Sequence, residues 1–289
     1  MPRRLIVNAD GFGFAPGVNR GIRDAISGGV VTSVSCNANF PYIEELPALV
    51  ERFPEVSVGI HLNLSVGKPI SPCSEISSLV DAGGEFWRDR FVKRLMTGRI
   101  SRKHMVAELD AQVRRMHELG VRPTHWDGHQ NKHLYPPYFF AAMKVARRHG
   151  IRCLRSHRRY LLVRDASRRW KLLCRYYARH PVRMATHLGG RLATALARRR
   201  GFKAADRLIT PAYADGSMKY HADTWTAVMQ LLPPGVNEIY CHPGYPDDVL
   251  RAHAKYVDER QREVEVLTSP EIAGAVRDNG VELISFHDL

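Results

Sequence analysis

The sequence predicts an α/β fold built on a parallel sheet. Short β-rich runs alternate with stretches of helical periodicity along the whole chain. The residues best suited to chemistry, Asp10, His61, His129 and His242, each close or follow one of those runs. In parallel α/β folds that is where active groups gather. An open doubly wound sheet and a closed barrel both satisfy this pattern.

The strands read in order as Leu5 to Asp10, Val30 to Cys36, Val56 to Leu64, a fourth that His125 ends or follows, Ile151 to Arg155, Val236 to Cys241, and Val281 to Phe286. Between them, Val18 to Ile26 follows Pro16. Ser101 to Leu119 carries Met105, Val106, Leu109, Val113 and Met116 at helical spacing. Pro136 to Arg148 and His221 to Leu232 repeat the pattern. Ser269-Pro270-Glu271 reads as an N-cap followed by proline in the first turn, with Gly280 as the stop. One domain over residues 1–289 is expected, with a basic insertion or excursion at about 144–205.

Length and composition narrow the possibilities. The chain has 289 residues, 44% hydrophobic and 25% charged, as in an ordinary soluble globular protein. The five cysteines are odd in number and show no Cys-x-x-Cys, which argues against a disulfide framework or a thiolate zinc site. No secretory signal and no run of about 18 apolar residues is visible, so a cytoplasmic location is expected. The net charge of +14 favours anionic partners.

Four segments carry candidate chemistry. Asn8-Ala-Asp10-Gly-Phe-Gly13 presents a carboxylate on a glycine turn, and also suits a helix cap. In Gly59-Ile-His61-Leu-Asn63-Leu64 a histidine alternates with apolar residues. Thr124-His-Trp-Asp-Gly-His-Gln-Asn-Lys-His133 has His125, Asp127, His129 and His133 at odd positions, on one face if the chain is extended. Neutral imidazole is a good ligand for zinc and other divalent metals, and a nearby carboxylate can orient it. Cys241-His242-Pro243 places a histidine at a strand end, where a general acid fits. Together they suggest hydrolysis: metal-bound water between His61 and His129, Asp10 as base and His242 as acid.

These segments resemble the YdjC-like carbohydrate deacetylases, a family with chitooligosaccharide deacetylases and members associated with hopanoid biosynthesis. The resemblance runs from Asn8-Ala-Asp10 through His61-Leu-Asn-Leu64, Thr124-His-Trp-Asp-Gly-His129 and Cys241-His-Pro243 to Ser285-Phe-His-Asp288. It implies an irregular (β/α) barrel similar to that of NodB-type polysaccharide deacetylases, and metal-assisted removal of an acetyl group from an N-acetylated sugar or glycoconjugate. By its motifs Asp10 matches the base, His61 and His129 the metal ligands (zinc or magnesium), and His242 the acid. Asn63, Asp127 and His133 are expected to bind substrate or support the site. One position departs from the pattern. The family's first turn carries two consecutive aspartates, the second a metal ligand, and here that second position is Gly11. The expectation is a metal held by two histidines, less tightly. The alternative is a catalytically impaired sugar-binding relative.

The segment from Lys144 to Lys203 is crowded with arginine, and its only acid is Asp165. Trp170, Leu173, Cys174 and Tyr177 recur there at helical spacing. Two readings compete: a solvated arginine-rich face, and a basic amphipathic surface that meets anionic lipid or a lipid-linked, phosphate-bearing sugar, which would make the protein peripheral to the membrane. A nucleic-acid-binding protein is the rival outside enzymology. It leaves the histidine cluster unexplained. Oligomeric state, a homo-oligomer included, stays open.

Overall fold

The computed structural model describes residues 1–163, 166–211 and 218–289. Arg164 and Asp165 of the basic segment lie outside them. Nine strands are described: β1 (Arg3–Phe12), β2 (Ser33–Cys36), β3 (Ser57–Leu62), β4 (His125–Gly128), β5 (Cys153–Leu154), β6 (Arg159–Leu162), β7 (Arg207–Pro211), β8 (Gly235–Cys241) and β9 (Val281–Leu283). They form one sheet in the order β5-β4-β3-β2-β1-β8-β7-β6, with β9 beside the start of β1. Every strand pairing is parallel. The sheet curls into an irregular barrel. Its edge strand β5 meets the segment ahead of β7, where Lys203 O accepts from Leu154 N at 3.0 Å and Lys203 N donates to Arg152 O at 2.8 Å.

Strand alternation sorts the core. On β1, Leu5, Val7 and Ala9 join the large hydrophobic cluster under the helices. The opposite face of a strand carries every second residue, and Ile6, Asn8 and Asp10 point into the barrel. Ile6 belongs to a small separate cluster with Cys153, Ala205, Val236, Ile284 and Phe286 that plugs one end of the barrel. Above the plug the interior turns polar, and Asn8, Ser33, Ser35, His125 and Asp127 are all buried there.

The helices form for local reasons. Helix Pro16–Ser27 starts on proline and buries Val18, Ile22, Ala25 and Ile26. Helix Pro270–Asp278 is capped by the Ser269 side chain, which accepts from Ile272 N. Helices Arg102–Glu118 and Pro136–Arg148 pack against each other outside the sheet. Within the basic segment, helices Arg169–Arg179 and Pro181–Arg199 form the crossover from β6 to β7. No helix among the described residues is long and apolar enough to cross a membrane.

Several local expectations need correction. His125 begins the fourth strand instead of ending it. The extended run to His133 does not exist: the chain turns after Gly128 into a 3-10 segment, His129–Leu134, with positive φ at Gln130 (54°) and Asn131 (56°). The last strand stops at Leu283, because Ser285 and Asp288 cap a short turn at Phe286–Asp288. Strands β6 and β7 were hidden in arginine-rich sequence, where Arg159 stays on its strand by donating to Thr210 Oγ1 at 3.3 Å.

Close packing inside the barrel fixes Gly59. A Cβ there would stand 2.3 Å from the His125 ring, which is itself stacked on Phe286 at 3.7 Å between centroids. Gly59→Ala is expected to destabilise the protein by about 1–3 kcal/mol through overpacking, read as a lower urea midpoint with an unchanged m-value.

Candidate active site

The carboxyl ends of β1, β3, β4 and β8, with the residues after β5, open on a cavity of about 810 Å³, within the size range of small-molecule sites. Asp10, Gly11, His61, His129, Arg155, Tyr240 and His242 line it. Asp10, His61, His129 and His242 are thus brought to one wall.

The centre of the site is Arg155, which follows β5 and is 3% exposed. Its Nη1 donates to Asp10 Oδ2 at 2.7 Å and its Nη2 to Asp10 Oδ1 at 2.5 Å. Nη2 also stands 2.7 Å from Asp127 Oδ2, and Nε donates to Glu238 Oε1 at 3.0 Å. Burial alone would lower the guanidinium's pKa, but Asp10 and Asp127 outweigh it and keep the proton firmly in place. Burial would likewise raise Asp127, and Arg155 and His61 instead hold its carboxyl well below the usual carboxylate range. Glu238 goes the other way: burial pushes it up to about 7, against the pull of Arg155.

Asp127 also orients His61. Its Oδ1 lies 2.7 Å from His61 Nδ1, and its Oδ2 accepts from Ser35 Oγ at 2.9 Å. Burial would lower the imidazole's pKa, but Asp127 overrides this and raises it. With Nδ1 engaged, Nε2 is the nitrogen left for a ligand, as in carboxylate–histidine–metal arrangements. His129 crosses His61 edge to face at 5.5 Å and stacks on Phe14 at 6.2 Å.

Asp10 is held on its other side by Asn8, whose Nδ2 donates to Oδ1 at 2.8 Å. Next to Asp10 on the same wall, His242 Nε2 lies 3.9 Å from Asp10 Oδ2. The backbone of His242 is anchored where its N donates to Glu263 Oε2 at 2.7 Å, and Tyr256 Oη donates to the other Glu263 oxygen at 2.5 Å. Burial, then Arg260 and Lys219, depress the His242 imidazole well below its ordinary pKa, so it rests neutral.

The other candidates sit outside the cavity wall. The Asn63 amide builds the loop after β3, donating to Val66 O at 2.8 Å and accepting from Ser65 N at 3.0 Å. His133 is buried with its Nε2 2.9 Å from His157 Nε2, and burial pushes it down to about 3. His125 lies deeper in the barrel, its Nε2 3.1 Å from Asn8 Oδ1. Arg155, Glu238, Tyr240 and Glu263 escaped the sequence reading. An arginine closing an apolar strand is a signal, but the surrounding arginines drowned it.

Among the described residues, Asp10, His61 and Asp127 place ligand atoms within 4.8 Å of one another. Both carboxylates already compensate Arg155, so a cation between them would meet the guanidinium. Outside this charge network, His61 Nε2 and the neighbouring His129 ring, 5.5 Å away between centroids, are the donors that could hold a divalent ion. At Gly11 (φ 111°) the space where a carboxylate would enter is open, the nearest heavy atoms to a Cβ being Val18 Cγ1 at 3.7 Å and Asn37 Nδ2 at 3.8 Å.

Known proteins share this plan over its full length. The family model described as YdjC-like protein matches residues 4–278. The chain belongs to the YdjC-like family. A carbohydrate deacetylase of Geobacillus stearothermophilus is 33% identical over 289 residues, covering 100% of this chain and 98% of the relative. A chitooligosaccharide deacetylase of Citrobacter koseri is 29% identical, with 100% of both chains covered. The crystal structure of an Enterococcus faecalis protein, described as a candidate cellobiose-phosphate cleavage protein, superposes with a TM-score of 0.77 at 27% identity, covering 100% of this chain and 99% of that one.

Arg155→Met strands the three buried carboxylates of Asp10, Asp127 and Glu238 and is expected to cost about 3–5 kcal/mol at pH 7. Without the guanidinium Asp127 loses the chief partner that holds its carboxyl low, so the folded variant binds protons that the unfolded chain does not. The deficit relative to the parent should therefore narrow as pH falls from 7 to 5, measured by urea denaturation at both pH values.

Proposed function

We propose that this YdjC-like protein is a metal-dependent carbohydrate N-deacetylase acting on an N-acetylated sugar or glycoconjugate. The observation that carries this is the meeting of Asp10, His61, His129 and His242 on one cavity wall, in a chain similar throughout to carbohydrate deacetylases.

His61 and His129 would hold the divalent ion, zinc by preference for two imidazoles, with magnesium the alternative. When bound, the ion supplies Lewis acidity toward water and the amide carbonyl. Asp10 serves as the base, its carboxylate fixed by Arg155 and Asn8 so that one geometry faces the cavity. The proton taken from the attacking water passes from Asp10 to neutral His242, 3.9 Å away. His242 then gives it to the leaving nitrogen as the C–N bond breaks, and acetic acid and the free amine result, the acid's proton passing to the amine to leave acetate and an ammonium group. Asp127 keeps the His61 ring in place.

Acetate release from N-acetylated chitooligosaccharides tests the reaction. Asp10→Asn and His242→Asn are each expected to lower kcat by about 10²–10⁴-fold. A relay through a neutral histidine predicts that the rate holds from pH 7 to 8, whereas an acid that had to be protonated at rest would lose activity across that range. Sugar binding without acetate release from the parent protein would favour the impaired-relative reading that Gly11 invites.

The missing carboxylate has its own test. Zinc affinity by calorimetry should rise about tenfold or more in Gly11→Asp, since an anionic ligand better compensates the ion's charge. The positive φ strains any residue but glycine, so circular dichroism must first show that the variant is folded. Equal affinities in a folded variant, or zinc binding that survives both His61→Gln and His129→Gln, would remove the two-histidine site.

A further inference from the structure

We propose that the helical crossover between β6 and β7 is a docking surface for an anionic lipid bilayer. The proposal is independent of the deacetylase reading.

Helix Pro181–Arg199 has one partnered face and one bare face. Gly190, Thr194 and Ala197 are its buried residues. Gly190 lies so close to His157 that a Cβ would meet the His157 Cβ at 3.0 Å, and Thr194 Oγ1 accepts from His157 N at 2.9 Å. On the opposite side, at 100° per residue, stand Ala185, Leu188 and Leu192, with Val182 and Gly189 along one flank. Val182 is 75% exposed, Leu188 54% and Leu192 72%. That stripe runs roughly 15 Å along the helix at 1.5 Å per residue, and no charged residue interrupts it. The preceding helix, Arg169–Arg179, adds Trp170, also 75% exposed.

The charge around this stripe selects the partner. Residues 166–203 contain eleven Lys and Arg and no Asp or Glu. Lys171, Arg175, Arg179, Arg191, Arg199 and Arg200 are exposed. An exposed apolar stripe and an exposed tryptophan on the preceding helix, in a segment rich in cations, match interfacial helices that insert their apolar side at the headgroup boundary while their basic side chains meet anionic headgroups. A second copy of the chain fits poorly, because pairing the stripes would bring two uncompensated cationic surfaces together. Nucleic acid would use the cations and leave the stripe in water.

The buried face of the same helix leads back to the cavity. His157, on which the helix rests, is 2.9 Å from His133. His133 belongs to the turn His129–Leu134, whose first four residues line the cavity.

Co-sedimentation of the full chain with phosphatidylcholine vesicles, with and without phosphatidylglycerol, tests this. Binding is expected to be at least about tenfold tighter to the anionic vesicles and to weaken with added salt. Tryptophan emission should shift to the blue on binding, and the shift should vanish in Trp170→Phe. The double variant Leu188→Asp/Leu192→Asp, on the exposed face, should lose at least about tenfold in vesicle binding with an unchanged circular dichroism spectrum. Anionic vesicles bound no better than neutral ones, or a folded double variant that binds as the parent does, would overturn the proposal. So would a dimer, seen by light scattering, that the double variant dissolves while the parent ignores vesicles.

Discussion

Much of this structure answers to one buried cation. Arg155 sits inside the barrel with Asp10, Asp127 and Glu238 around it. An unpaired charge at that depth would be prohibitively costly, and each carboxylate would be as costly without the guanidinium. The four groups therefore stand or fall together. Asp127 passes the constraint on to His61, and Asn8 ties Asp10 to Ser35, which also bonds Asp127. The ring of contacts spans β1 to β4 and reaches β8 through Glu238. It is a rigid polar layer above an apolar plug.

That layer decides how the site can be read. Three ligand-type side chains lie close enough together to suggest a metal, yet the charge they carry is already used. What the layer offers the cavity is an oriented carboxylate on Asp10 and a free Nε2 on His61. Beside Asp10, His242 is kept neutral by burial and then by its cationic neighbours Arg260 and Lys219. A base and a proton carrier with different resting states, 3.9 Å apart, are what hydrolysis of an amide needs. Gly11, next to Asp10, leaves an opening in that wall.

The candidate site was partly legible before the fold was seen. Asp10, His61 and His242 stand at strand ends, and strand ends in parallel sheets are a short list of places. The spacing of His129 with His125 and His133 points to one shared face, yet His129 reaches the cavity by a turn and not by that face. Gln130 and Asn131 reverse the chain, so His133 turns back beneath Gly128, where a Cβ would lie 2.4 Å from its ring. His125 points the same way as Asp127 but one layer deeper, onto Phe286. Periodicity tells which face a side chain takes. It does not tell how deep in a barrel that face lies.

The sequence by itself determined the alternation of strand and helix, the helix starts at Pro16 and Ser269-Pro270, and the four chemistry-bearing positions at strand ends. These are local properties, set by side-chain spacing and capping within a few residues. The tertiary structure alone decided which of ten or more neighbouring arginines becomes the buried one, and which face of helix Pro181–Arg199 is left bare. Arg155 differs from Arg158 or Arg159 only in pointing inward past β5 to carboxylates 145 and 83 positions away in the chain. Such partners are chosen by the closing of the barrel, and no window of neighbouring residues contains them.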